Sequence, residues 1–186
     1  MHKKLQKYIE SQNEIKDCKL YELIPNGGMI FLINHKSTCE VVIEELSFRL
    51  EKFQAILLNA YENSVYIKSD ENINLSCVRF KGAGASFFYE EYLDELMHNA
   101  KKPIVVELDT KEFDFDSYFL QRLKVGTLPF NIMKIIDLLD IQKSDYNIDE
   151  ILSIANVPRR ILDKTFRLRA GLTFKTYASI QERRKL

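Results

Sequence analysis

Arg160, Lys164 and Arg167 are spaced by four and three residues, the spacing that lines side chains along one face of a helix. Such a row of cations suits a polyanion. Guanidinium forks grip phosphate oxygens in pairs and read guanine edges, while an ammonium adds a point charge. Asp163 stands beside the row, where it can accept from cytosine or orient Lys164. Arg159 just before the row and Lys175 just after it extend the same charge. From Pro158 to Leu186 nine cations face two anions, a net charge of +7. The whole chain balances 27 cations against 27 anions, so residues 1–157 carry −7. A basic end on an acidic body is the electrostatic footprint of a nucleic-acid-binding module.

Three helices are needed to hold that row. Ile148, Ile151, Leu152 and Ala155 recur at helical spacing and give a first helix its apolar face, with Asn147 or Asp149 to cap it. Asn156-Val157-Pro158 breaks the pattern, and proline is best tolerated where a helix starts. In the second helix Ile161, Leu162, Thr165 and Phe166 are expected to point toward a core, leaving the cations outward. Ala170-Gly171 ends it, because glycine accepts the left-handed backbone of a helix terminus. Phe174, Tyr177 and Ala178 then cover the first two helices.

This run resembles the helix-turn-helix of AraC-type transcriptional regulators. The matching residues are Ile151 and Ala155, Val157 in the turn, Arg160-x-Leu162-x-x-x-Phe166, and Gly171-Leu172-Thr173-x-Lys175-x-Tyr177. The resemblance implies that the second helix enters the DNA major groove. Arg160, Asp163 and Lys164 then occupy the base-reading positions, and Arg167 that of a phosphate contact. Arg159 and Lys175 complete the expected DNA-binding set. Pro158 replaces the family's usual capping serine, Phe174 its usual proline, and Leu152 its usual alanine. The family's DNA-binding unit carries two helix-turn-helix motifs joined by a helix. Here the sequence reaches Arg184-Lys185-Leu186 where that joining helix would be under way.

Upstream, residues 1–16 read as a short helix with Leu5, Tyr8 and Ile9 on one face. Short apolar runs follow: KLYELI, GMIFLIN, CEVVIEEL, QAILLN, SVYIK and INLSCVRF, separated by turn residues such as Pro25-Asn26-Gly27-Gly28. Runs of this kind suggest an antiparallel sheet or barrel. In the last of them Ile73, Leu75, Cys77 and Arg79 fall on one face, with Asn74, Ser76 and Val78 on the other. Arg79-Phe80 followed by Lys81-Gly82-Ala83-Gly84-Ala85 resembles the sensor domain of a subset of AraC-type regulators. That resemblance implies a cupin-like sheet rolled around space for a small-molecule cavity; a pocket lined by Phe31, Tyr66 or Phe87 would be apolar and aromatic. The small-residue stretch is a structural turn, since it lacks the lysine and hydroxyl of a phosphate loop.

Further on, Ser86–Ala100 reads as a helix and Pro103–Leu108 as a strand. Polar residues 109–116 cap a helix over Tyr118–Leu123, and Thr127 caps the next. Residues 129–143 are apolar on most sides and must be buried on more than one face. They are expected to meet the C-terminal helices on one side and either the sensor domain or a second copy of the chain on the other. Lys143-Ser144-Asp145-Tyr146-Asn147 reads as the linker before the helix-turn-helix. The fold class is therefore α+β: a β-rich sensor and dimerisation domain over 1–126, then a helical domain over 127–186 with the helix-turn-helix at 148–178.

Enzyme chemistry finds little purchase. His2, His35 and His98 are far apart and give no metal-ligand spacing, and no nucleophile-elbow motif occurs. No cofactor is implied. Cys18, Cys39 and Cys77 also lack metal spacing and read as free thiols in a reducing cytoplasm. No apolar run is long enough for a membrane span, and no apolar stretch follows the basic N-terminus as in a signal peptide. The leading reading is a sequence-specific, effector-responsive DNA-binding regulator that acts as a homodimer on duplex DNA, away from membranes. The competing reading is a short AraC-like interaction protein that binds a partner regulator without autonomous DNA binding.

Overall fold

A computed structural model describes residues 1–93, 95, 102–109, 113–124, 132–141 and 148–184. The expected caps Thr127 and Asn147, the linker 143–147, the boundary at 126/127, Phe130, His98 and most of 94–100 lie outside these residues.

Among the described residues nine strands form two antiparallel sheets. They are β1 (Ile9–Lys16), β2 (Leu20–Leu23), β3 (Ile30–Asn34), β4 (Cys39–Ile43), β5 (Leu46–Leu50), β6 (Ala55–Leu58), β7 (Val65–Lys68), β8 (Asn74–Phe80) and β9 (Ile104–Val106). One sheet runs β1-β8-β3-β6-β9 and the other β2-β7-β4-β5. The helices described after β9 are α1 (Phe115–Arg122), α2 (Ile132–Ile141), α3 (Ile148–Ala155), α4 (Arg159–Ala170) and α5 (Phe174–Arg183). Every apolar run expected to be extended is a strand. CEVVIEEL splits at Glu44, whose φ of 54° turns the chain, and β5 pairs back with Val41 opposite Phe48.

The alternation of side chains along the larger sheet builds two cores. Ile30 and Leu32 of β3, Ile56 and Leu58 of β6, and Leu75 and Cys77 of β8 face the smaller sheet. They meet Leu23, Val41, Ile43, Leu50, Val65 and Ile67, so the space between the sheets is filled with side chains. Phe31, Ile33, Ala55, Leu57, Val78 and Phe80 face the other way and join the helices. A strand buried on both sides reads as a continuous apolar run, which is why IFLI and AILL show no alternation. In β8, Val78 and Phe80 share a face, and Leu75 and Cys77 share the opposite one.

Three expectations are corrected. Residues 1–16 are not a helix: Leu5–Lys7 make one 3-10 turn, and Ile9–Lys16 is an edge strand paired with β8, Ile15 opposite Leu75. Leu5, Tyr8 and Ile9 are buried as expected, but pairing with β8 overrides local preference. Ser86 does not open a regular helix. Gly82–Phe87 is a wholly buried 3-10 helix, and Glu90–Tyr92 a second short one. Gly28 and Gly84 explain the tight packing there, since a Cβ on either would strike the backbone of Phe80 or Tyr8. Finally, Phe31, Tyr66 and Phe87 do not line one cavity. Phe31 stacks with Tyr118 on the helical side at 6.0 Å, Phe87 packs on Tyr8, and Tyr66 is exposed on β7 beside Glu22.

The helical layer sits directly on the larger sheet. Asp114 caps α1 by accepting from the Ser117 N–H at 2.8 Å. In α2, Ile132, Met133, Ile135, Ile136 and Leu139 are buried. Ile136 packs against Gly82, so this helix meets the β-rich part. The three cysteines are free, and burial pushes the Cys39 thiol up to about 11 and Cys77 to about 12. Among the described residues no helix is long and apolar enough to cross a membrane.

Candidate nucleic-acid interface

The helix-turn-helix is built by a turn the sequence marks clearly. Asn156 takes a left-handed backbone, φ 52°, and the Val157 N–H donates back to Leu152 O at 3.3 Å. Asparagine tolerates that conformation better than other side-chain-bearing residues. Pro158 is the extended residue before α4, and its carbonyl accepts from Ile161 and Leu162. It offers no side-chain cap. Asp149 lies inside the first turn of α3 and so favours the helix dipole rather than capping it. At the far end Gly171, φ 77°, closes α4 with its N–H to Arg167 O at 3.2 Å.

Leu162, Thr165, Phe166 and Ala170 form the buried face of α4. Phe166 meets the rings of Phe174 and Tyr177, each at 5.2 Å, which ties α5 to α4. The same face of α4 packs on the Gly82–Phe87 turn. Arg160, Lys164 and Arg167 emerge on the opposite side, all exposed. At ~1.5 Å rise per residue they span about 10 Å, or roughly three base-pair steps. Arg159 is also exposed at the first position of α4, and Lys175 is exposed in the first turn of α5. Asp163 is half-buried at the margin of the core face.

The cations divide into two groups. Arg169 pairs with Glu90 at 3.2 Å, and Arg184 pairs with Glu10, so both are tied to the β-rich part. Arg159, Arg160, Lys164, Arg167, Lys175 and Arg183 form no ion pair among the described residues. In the sequence Arg169 and Arg184 are indistinguishable from the others, because their partners lie 79 and 174 residues away. Ile161, expected to point toward the core, is instead 43% exposed. Around the helix Ile161 stands a further 100° from Leu162 on the side away from Phe166, outside the buried stripe.

A second feature lies where α5 meets the sheet edge. Ile24, Pro25, Glu62, Asn63, Ser64, Arg79, Ile180, Arg183 and Arg184 line an open cleft of about 580 Å³. Arg79 donates to the Ile24 carbonyl, while its buried Nε has no partner among the described residues. Gln181 donates to Asn26 O at 2.6 Å, and Asn26 in turn donates to Phe80 O at 2.9 Å and to Glu10. This polar chain fastens α5 beside the cleft. Among the described residues no group of three or more His, Cys, Asp or Glu side chains is placed to hold a metal ion.

No protein-family model matches the sequence. No curated protein matches it. Solved structures do. The chain is similar to ToxT from Vibrio cholerae, with a TM-score of 0.53 at 16% identity over 92% of this chain and 79% of that one. ToxT bound to (E)-4-(8-methylnaphthalen-1-yl)but-3-enoic acid gives 0.52 at 15% identity over 92% and 80%. ToxT bound to an unsaturated fatty acid gives 0.51 at 13% identity over 94% and 78%. ToxT is an AraC-family regulator with a cupin-like N-terminal domain. At these identities the likeness establishes the shared fold: antiparallel sheets followed by a helical region, α+β.

Proposed function

We propose that this chain is a DNA-binding transcriptional regulator of the AraC type, in which residues 1–126 sense and dimerise and residues 127–186 bind duplex DNA in the cytoplasm. The observation that carries the reading is the outward face of α4. Arg160, Lys164 and Arg167 stand there without ion pairs among the described residues, while Arg169 and Arg184 are paired with Glu90 and Glu10. A purely solvated basic helix has no need to segregate its cations in this way. Arg160 reads a guanine edge, a contact worth ~1–3 kcal/mol of discrimination. Lys164 and Arg167 add phosphate or base-edge contacts, with Arg159 and Lys175 supporting on the flanks. The half-buried Asp163 orients Lys164 or accepts from cytosine. The test is titration of duplex DNA with Arg160→Ala and Lys164→Ala. Unchanged affinity and unchanged sequence preference in both would remove α4 as a recognition helix.

The effector reading attaches to the cleft beside α5. Arg79, Arg183 and Arg184 with Ile24, Pro25 and Ile180 suit an acid with an apolar body. The carboxylic acids bound to ToxT support that chemistry. Glu62 on the cleft wall disfavours a second negative charge. Calorimetric titration with fatty acids of graded length checks it. Binding by the wild type that Arg183→Ala abolishes is the expected result, and heats equal in both proteins would discard the cleft.

A second reading has one observation in its favour: Ile154, Ile161 and Leu168 are exposed on the helix-turn-helix. An apolar surface there fits an interaction protein that binds a partner regulator without autonomous DNA binding. Light scattering with and without DNA separates the two. No complex with any duplex at low salt would favour the second reading.

A further inference from the structure

The solvent face of α4 is not uniformly charged. Lys164 stands on the line farthest from the buried Leu162, Thr165, Phe166 and Ala170. Arg160 and Arg167 flank it on one side. Ile161 and Leu168 flank it on the other, seven residues apart and so along one line. They are 43% and 37% exposed. Among the described residues from Ile148 onward, the exposed large apolar side chains are Ile154, Ile161 and Leu168, all on α3 and α4. Single exposed apolar residues are ordinary on a protein surface. A pair aligned beside a cationic row, on a helix whose outward cations form no ion pair among the described residues, is a more particular arrangement.

Phosphates and sugars present no apolar counterpart of that shape. In the major groove the apolar group displayed by base edges is the thymine 5-methyl. Ile161 lies in the first turn of α4, the end that a helix-turn-helix aims at base edges. A β-branched side chain in a helix is held almost wholly in one χ1 rotamer, so its contact surface is set before binding. We infer that Ile161 reads a thymine methyl next to the base pair contacted by Arg160 or Lys164, which makes it a specificity-determining residue. The inference rests on the DNA-binding reading above. It adds what the cations cannot supply, discrimination of thymine from cytosine by an apolar contact. Leu168 continues the same line two turns on.

The experiment uses the full chain. A duplex library with a randomised core is selected on the wild type, and each thymine of the enriched duplex is replaced singly by deoxyuridine, which removes only the methyl. The expected result is one thymine at which the replacement weakens wild-type binding about fourfold, the weight of one buried methyl. Ile161→Ala should bind the thymine and deoxyuridine duplexes equally. Because Ile161 is exposed, the variant should keep the wild-type thermal midpoint, which is measured alongside. If the wild type binds both duplexes equally at every thymine while Arg160→Ala still relaxes the preference, the assignment of Ile161 is overturned and the DNA reading stands. If the wild type enriches no duplex, both are overturned, and the apolar line belongs to a protein partner.

Discussion

Gly171 lies so close to Asn59 that a Cβ on the glycine would overlap the asparagine carboxamide. The contact pins the end of α4 to the residue that follows β6, whose Oδ1 accepts from Ala60 N at 2.9 Å. Gly171 also holds φ at 77°, where a side chain costs roughly 1–2 kcal/mol. Gly171→Ala should therefore lose more stability than the backbone term alone. In an Asn59→Ala background the collision is relieved and the loss should shrink toward that term. Urea unfolding of the two single variants and the double variant measures this. Equal losses in both backgrounds would mean that Asn59 does not constrain the helix end.

Much of this architecture can be read in the sequence, and for identifiable reasons. Each strand run is bounded by turn residues, and the buried ones, such as Phe31–Ile33, carry apolar residues at every position. Gly171 announces the end of α4, and Arg160, Lys164 and Arg167 announce its outer face. What could not be read depends on distant partners. Ile9–Lys16 is extended because β8 is beside it, not because its polar residues prefer a strand. The Gly82–Phe87 turn is buried because Tyr8, Ile136 and Tyr177 close over its glycines. Arg169 and Arg184 resemble the other basic residues until Glu90 and Glu10 are located in space.

Glu10 is the acceptor that gathers Asn26 and Arg184 where β1 meets the end of α5. The Arg184 and Glu10 side chains are 33% and 27% exposed, so their pairing should contribute less than about 1 kcal/mol. Glu10→Gln removes the charge while keeping an acceptor. Global stability should change little, but amide hydrogen exchange in the last turn of α5 should accelerate. Glu90→Gln, whose carboxylate is 54% exposed against Arg169, serves as the comparison and should leave α5 unchanged. Unaltered exchange in the Glu10 variant would show that Gln181 alone holds the helix.

His35 gives a pH signature. Burial is the main force holding its imidazole below the ordinary value of 6.5; Lys16 acts in the same direction and Glu14 opposes it. Its Nε2 lies 2.8 Å from Ser76 Oγ. The unfolded chain takes up the proton at a higher pH than the folded one does. Stability from this site is therefore full above 6.5 and is lost as pH falls through that value toward the folded one. His35→Gln should show a smaller drop in the urea midpoint than the wild type between about pH 7.5 and about pH 5.5. Parallel drops in the two proteins would assign the acid sensitivity to other groups.

The account rests most heavily on the face that α4 turns to solvent, and the salt dependence of duplex binding measures that face directly. The logarithm of affinity should fall linearly with the logarithm of salt concentration, by about 0.9 for each phosphate engaged. The variant with Arg160, Lys164 and Arg167 all changed to alanine should bind more weakly and show a slope shallower by roughly two to three. A wild type that binds no duplex at low salt, or a triple variant with the wild-type slope, would contradict it.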